Sequence, residues 1–171
     1  MKKIFLSFLA ILIIVTIGLM SSSCSVSLDQ MKIVAEQTGK YSVVAWIAVD
    51  GPSDQTKIIV KDVVVLVQSN AAQVAQDKSY TEVLYPIIQN YIDTKVEPQY
   101  RDVAKAGGLT ILTGIDVLFA QNPKWKANQK DVLTIVDSFC SGALSSLSLS
   151  NDDPIIKAAV HSAHLRASIH R

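Results

Sequence analysis

The sequence is poor in the residues from which a function is usually read. It holds two cysteines and three histidines in 171 residues, and its formal charge is only +1. Two cysteines exclude a disulfide-built scaffold at this length. Sixteen Lys+Arg against 15 Asp+Glu leave no cationic surplus to neutralise phosphates, so nucleic acid is not the expected partner. Catalytic signatures are missing as well. The glycines form no G-x-G-x-x-G, and Gly39-Lys40-Tyr41 lacks the upstream glycine and the hydroxyl residue of a phosphate loop. No serine sits in G-x-S-x-G and no H-E-x-x-H occurs. Cys140 has no second cysteine with which to make a metal or redox pair, and nothing in the chain calls for a cofactor.

Apolar residues, in contrast, are abundant. They make up 49% of the chain, charged residues only 18%, and the mean hydropathy is +0.30. That balance excludes disorder, which needs few apolar residues and a large net charge. Much of the excess lies at the start. Met1-Lys2-Lys3 is followed by a nearly unbroken apolar run, Ile4 to Met20, and then by Ser21-Ser22-Ser23-Cys24. A positive n-region, an apolar h-region and small residues at a cleavage site describe an export signal. The two lysines would stay on the cytoplasmic side, and the chain beyond the apolar run would be exported.

Residues 1–24 resemble the type II signal peptide of bacterial lipoproteins, in which a cysteine directly after a box of small residues is lipidated and becomes the mature N-terminus. Such boxes usually carry Leu three places before the cysteine, whereas here Leu19 lies five before it. The resemblance implies cleavage between Ser23 and Cys24, with a diacylglyceryl group and a further acyl chain such as palmitate on Cys24. Two or more chains hold a protein on a membrane stably, where one binds only marginally. It also implies the outer membrane in a diderm host, because Ser25 after the cysteine is not acidic. Two plainer readings of the same residues stay open. Ser21 and Ser23 satisfy the small-x-small rule of ordinary signal cleavage. The 17 residues from Ile4 to Met20 also just reach the lower limit of a membrane span.

Without residues 1–23 the chain has 148 residues, 47% apolar, and a charge of −1. Residues 24–27 would be the lipidated start and a short tether, and residues 28–171 one helical domain. Ser27 and Gln30 make a capping box ahead of Leu28, Met31, Val34, Ala35, Thr38 and Tyr41, and Asp50-Gly51-Pro52 stops that helix. A second helix is expected over Asp54 to Ala75, although Ile58 to Val67 is dense enough in β-branched residues to suit a strand. Ser79 and Glu82 start a third, in which Pro86 should kink the helix or delay its start. Pro98 opens a fourth, running to Ala120, where Gly107, Gly108 and Gly114 point to close helix packing. Asn122-Pro123 reads as the start of a fifth and Asp153-Pro154 as that of a sixth. The fold expected is all-α, a bundle of five or six helices joined by short loops.

Candidate site residues are few. His161 and His164 share a helical face but lack the third and fourth ligands of a metal site, for which only His170 and distant carboxylates such as Asp152 and Asp153 are available. Asp62, Asp116 and Asp137 lie inside apolar runs; converging in a core they would hold a cation or a shifted pKa, whereas at the borders of their faces they are simply solvated. Cys140, in Ile135-Val136-Asp137-Ser138-Phe139-Cys140, reads as a buried, inert thiol. The expectation is therefore an envelope lipoprotein without catalysis, held to the membrane by its lipid, whose helical domain binds another envelope protein or serves a structural role. A phage or prophage lipoprotein that blocks a receptor or assists lysis has the same form. An envelope hydrolase or metal-dependent enzyme would need the three aspartates or the histidine pair to converge.

Overall fold

The structure, a computed structural model, describes residues 26–50, 53–121 and 123–148. They form five α-helices, α1 (Leu28–Asp50), α2 (Asp54–Asn70), α3 (Tyr80–Lys95), α4 (Arg101–Gln121) and α5 (Gln129–Ser145), with no strand among the described residues. Short 3-10 turns lie at Ala71–Gln73, Pro98–Tyr100, Pro123–Ala127 and Ser146–Ser148.

Local chemistry sets the starts. The capping box of α1 is complete: the Gln30 amide donates to Ser27 Oγ at 3.2 Å and the Ser27 amide donates to Gln30 Oε1 at 2.9 Å. Ser53 caps α2 by accepting from the Thr56 amide at 3.0 Å, and Ser79 caps α3 by accepting from the Glu82 amide at 2.9 Å. The β-branched run of α2 is helical because that geometry gathers Ile59, Val60, Val63, Val64 and Val67 into the core while Lys61 and Gln68 stay exposed. Pro86 neither delays nor ends α3, which starts at Tyr80 and continues to Lys95.

One start differs from expectation. Pro123 opens a 3-10 turn rather than an α-helix, and α5 begins six residues later, where Asn128 Oδ1 accepts from the Lys130 amide at 3.0 Å. The turn lets Trp125 pack against the core before the helix begins. The sixth helix expected from Asp153-Pro154 lies outside the described residues.

Successive helices alternate in direction, so α1, α3 and α5 run one way and α2 and α4 the other. A single hydrophobic cluster draws on all five. Within it α4 packs on α1, α2 and α3, and α2 touches all four other helices. By length and hydropathy the stretch Pro98–Gln121 would pass for a membrane span, but the bundle itself buries Ile111, Leu112, Ile115, Leu118 and Phe119. Core packing accounts for its apolarity. The most extensive interface joins α1 and α5. There a Cβ on Gly39 would fall 2.0 Å from the Phe139 carbonyl oxygen, and one on Gly142 would fall 2.0 Å from that of Glu36. Only hydrogen fits on either side, so the two backbones pack directly on each other. Gly107 makes room in the same way for the Trp46 ring.

Candidate functional site

An open groove of about 560 Å³ lies between α1 and α5. Close approach of the two backbones at Gly39 and Gly142 brings their outer faces side by side and leaves this furrow. Asp29, Lys32, Ile33 and Glu36 line one wall, and Thr134, Asp137, Ser138 and Ser141 the other. Lys32 Nζ pairs with Asp29 at 2.7 Å and holds its carboxyl below the usual carboxylate range, first by that hydrogen bond and then by charge. Thr134 and Ser138 spend their hydroxyl protons on the carbonyls of Lys130 and Thr134, at 2.9 Å each. Ile33 stands 61% exposed among these polar groups. The groove therefore offers an acidic, partly apolar contact surface rather than a nucleophile with a base beside it. A second cavity, beside Tyr80, has a volume of only about 10 Å³, which suits nothing larger than a water.

The three aspartates do not come together, and none belongs to the buried set. Asp137 is exposed, while Asp62 and Asp116 are half-buried. Each serves a different pair of helices. Asp62 on α2 accepts from the Tyr91 hydroxyl of α3 at 2.5 Å. Asp116 on α4 accepts from the amides of Tyr80 and Thr81 at 2.7 and 3.0 Å, capping the N-terminus of α3 from another helix. Asp137 on α5 accepts from Gln68 Nε2 of α2 at 3.1 Å. They are ties between helices, and no group of three or more His, Cys, Asp and Glu suited to a metal occurs among the described residues. Tyr91 answers to its site: burial first, then the hydrogen bond and charge of Asp62, push its phenol up to about 12.

Cys140 lies fully buried against α2, its sulfur 3.9 Å from the Val64 carbonyl. Burial, with a smaller contribution from Asp137, pushes the thiol up to about 12, so it is protonated and inert at neutral pH. Tyr80, stacked on Phe119 at 5.8 Å, is likewise held above the ordinary phenol range by burial, then by Asp116 and Cys140. Ser23, Cys24, His161, His164, His170, Asp152 and Asp153 lie outside the described residues.

Sequence reading passed over one further group, at the end of the bundle where α1 begins. The turn Pro123–Ala127 carries Lys124, Trp125 and Lys126, and three long-range bonds fasten it there. Lys124 Nζ donates to the Val26 carbonyl at 3.1 Å, Lys126 Nζ to that of Lys78 at 3.0 Å, and Gln76 Nε2 to that of Ala127 at 3.3 Å. Lys124 Nζ also lies 4.9 Å from the centre of the Trp125 ring. The Lys-Trp-Lys triplet was the available signal, but Asn122-Pro123 drew the segment into a helix. Comparison of the chain with protein-family models, with curated proteins and with solved structures found no match.

Proposed function

We propose that the protein is a cell-envelope lipoprotein, anchored through a lipid on Cys24, whose helical domain acts by binding or supporting another envelope component and not by catalysis. The observation that carries this reading is the N-terminal sequence: Lys2-Lys3, the apolar run from Ile4 to Met20, and three serines directly before Cys24. Three features of the fold support it. The first helix starts at Leu28, so three residues separate the candidate lipidated cysteine from a capped helix and the domain would ride close to the membrane. The other cysteine, Cys140, is buried in the core, away from any membrane surface. The open, acidic α1–α5 groove with Ile33 at its surface suits contact with a partner better than enclosure of a small substrate.

Metabolic labelling with a clickable fatty acid tests the anchor. The wild-type chain should take up label and the Cys24→Ser chain should take up none and accumulate as a precursor. Normal processing of the Cys24→Ser chain would mean ordinary signal cleavage and end the proposal.

A further inference from the structure

We infer that the end of the bundle formed by the Pro123–Ala127 turn and its neighbours is a membrane-contacting face that rests Lys124, Trp125 and Lys126 on an anionic phospholipid surface. This deepens the lipoprotein reading and rests on it, since a lipid on Cys24 is what would bring this end of the bundle to the bilayer.

Covalent reach makes the argument. Val26 lies two positions beyond Cys24, a span of at most about 7 Å. The Val26 carbonyl is in turn 3.1 Å from Lys124 Nζ. A lipid on Cys24 therefore brings the Lys124 ammonium to within about one Debye length of the headgroups, where attraction to anionic lipid is felt. Lys126 and Lys78 belong to the same end through their 3.0 Å bond, and Lys130 follows in the first turn of α5. Lys78, Lys124 and Lys130 are exposed and Lys126 is half-buried.

The local charge has the right sign. In the segments 71–79 and 123–131 Lys78, Lys124, Lys126 and Lys130 outnumber Asp77 and Asp131, while at the same end Asp29 is paired with Lys32 at 2.7 Å and Asp116 is spent on the amides of Tyr80 and Thr81. Lys78 is also paired with Glu82 of α3 at 2.6 Å, so the attraction falls to Lys124, Lys126 and Lys130. At the opposite end, Asp54, Asp93, Glu97 and Asp102 balance Lys57, Lys95, Arg101 and Lys105. The half-buried indole of Trp125 beneath Lys124 supplies the amphipathic ring that favours a membrane interface. Each lysine brought to the surface should strengthen attachment roughly fivefold.

The two tryptophans provide the test, because Trp46 is buried at the far end of the bundle beside Gly107. The full-length, processed protein is reconstituted in vesicles of phosphatidylcholine with roughly 30% phosphatidylglycerol, with and without brominated acyl chains, and tryptophan emission is read. Quenching is expected, is lost in Trp125→Phe, and falls by about half or more when salt is raised to about 1 M or in Lys124→Glu/Lys126→Glu. The salt arm needs no variant and so does not depend on one folding. No quenching, or equal quenching in pure phosphatidylcholine and in high salt, overturns the proposal. Acyl label on Cys24 is read on the same sample. Labelled protein without quenching overturns the face and leaves the anchor, unlabelled protein that still quenches overturns the anchor alone, and unlabelled protein without quenching overturns both.

Discussion

Replacing Gly142 by Ala tests the packing on which the bundle depends. In an ordinary helix interior the change strengthens the helix by about 1 kcal/mol. Here the added Cβ would lie 2.0 Å from the Glu36 carbonyl oxygen, 2.7 Å from its carbon and 2.8 Å from the Glu36 Cα. All three are backbone atoms, so no rotamer change relieves them. The helices must part by on the order of 1 Å, a gap that forfeits roughly a quarter to a half of each dispersion contact across the seam. Forced overpacking of a core costs up to about 3 kcal/mol. Subtracting the propensity gain leaves a net destabilisation of about 2 kcal/mol, or about 8 °C in melting temperature for a domain of this size. Gly114→Ala is the control. Its Cβ would meet Ser42 Oγ at 2.9 Å and the Phe139 ring from 3.3 Å, side-chain atoms that can yield, so its stability should stay within about 1 kcal/mol of wild type. Thermal unfolding of the full chain in mild detergent, followed by far-UV circular dichroism, reads both. A Gly142→Ala protein that melts at or above the wild type would refute the direct backbone contact between α1 and α5.

Asp116→Ala removes the acceptor for two amides at the start of α3 and should cost about 1–2 kcal/mol in denaturant unfolding, with Asp116→Asn, which keeps one acceptor oxygen, losing less. Because folding raises the Tyr91 phenol to about 12, the folded state binds the proton more tightly; this stability is complete below the unfolded value near 10 and is lost as pH rises through about 12. Tyr91→Phe, which cannot ionise, should flatten the alkaline loss of stability measured by unfolding across that window. Cys140 should resist a thiol-specific disulfide reagent at neutral pH in the folded chain and react at once in denaturant, and rapid reaction of the folded chain would contradict its burial.

The helix starts governed by neighbouring residues were readable in advance, because a cap acts over three positions. Ser27 with Gln30, and Ser79, both cap as that chemistry requires. The helical state of the β-branched segment was decided by spacing, since a strand would have carried Lys61 or Asp62 into the core along with the valines. Asn122-Pro123 misled because a local start signal cannot register that Trp125 has a place in the core to fill. The roles of the aspartates were illegible for a related reason: Asp116 meets amides 35 and 36 residues away, and Asp137 meets a glutamine 69 residues away. Gly39 and Gly142 carry no local sign of their meeting. Each stands in an unremarkable helix, and only tertiary packing shows why neither tolerates a side chain.

The central claim concerns the N-terminus, and the mass of the N-terminal peptide of the mature protein, isolated from membranes, tests it most directly. The expected species begins at Cys24 and carries a diacylglyceryl group with or without a further acyl chain. A mature chain that begins with unmodified Cys24 or beyond it, or one that retains residues 1–23, would contradict the account.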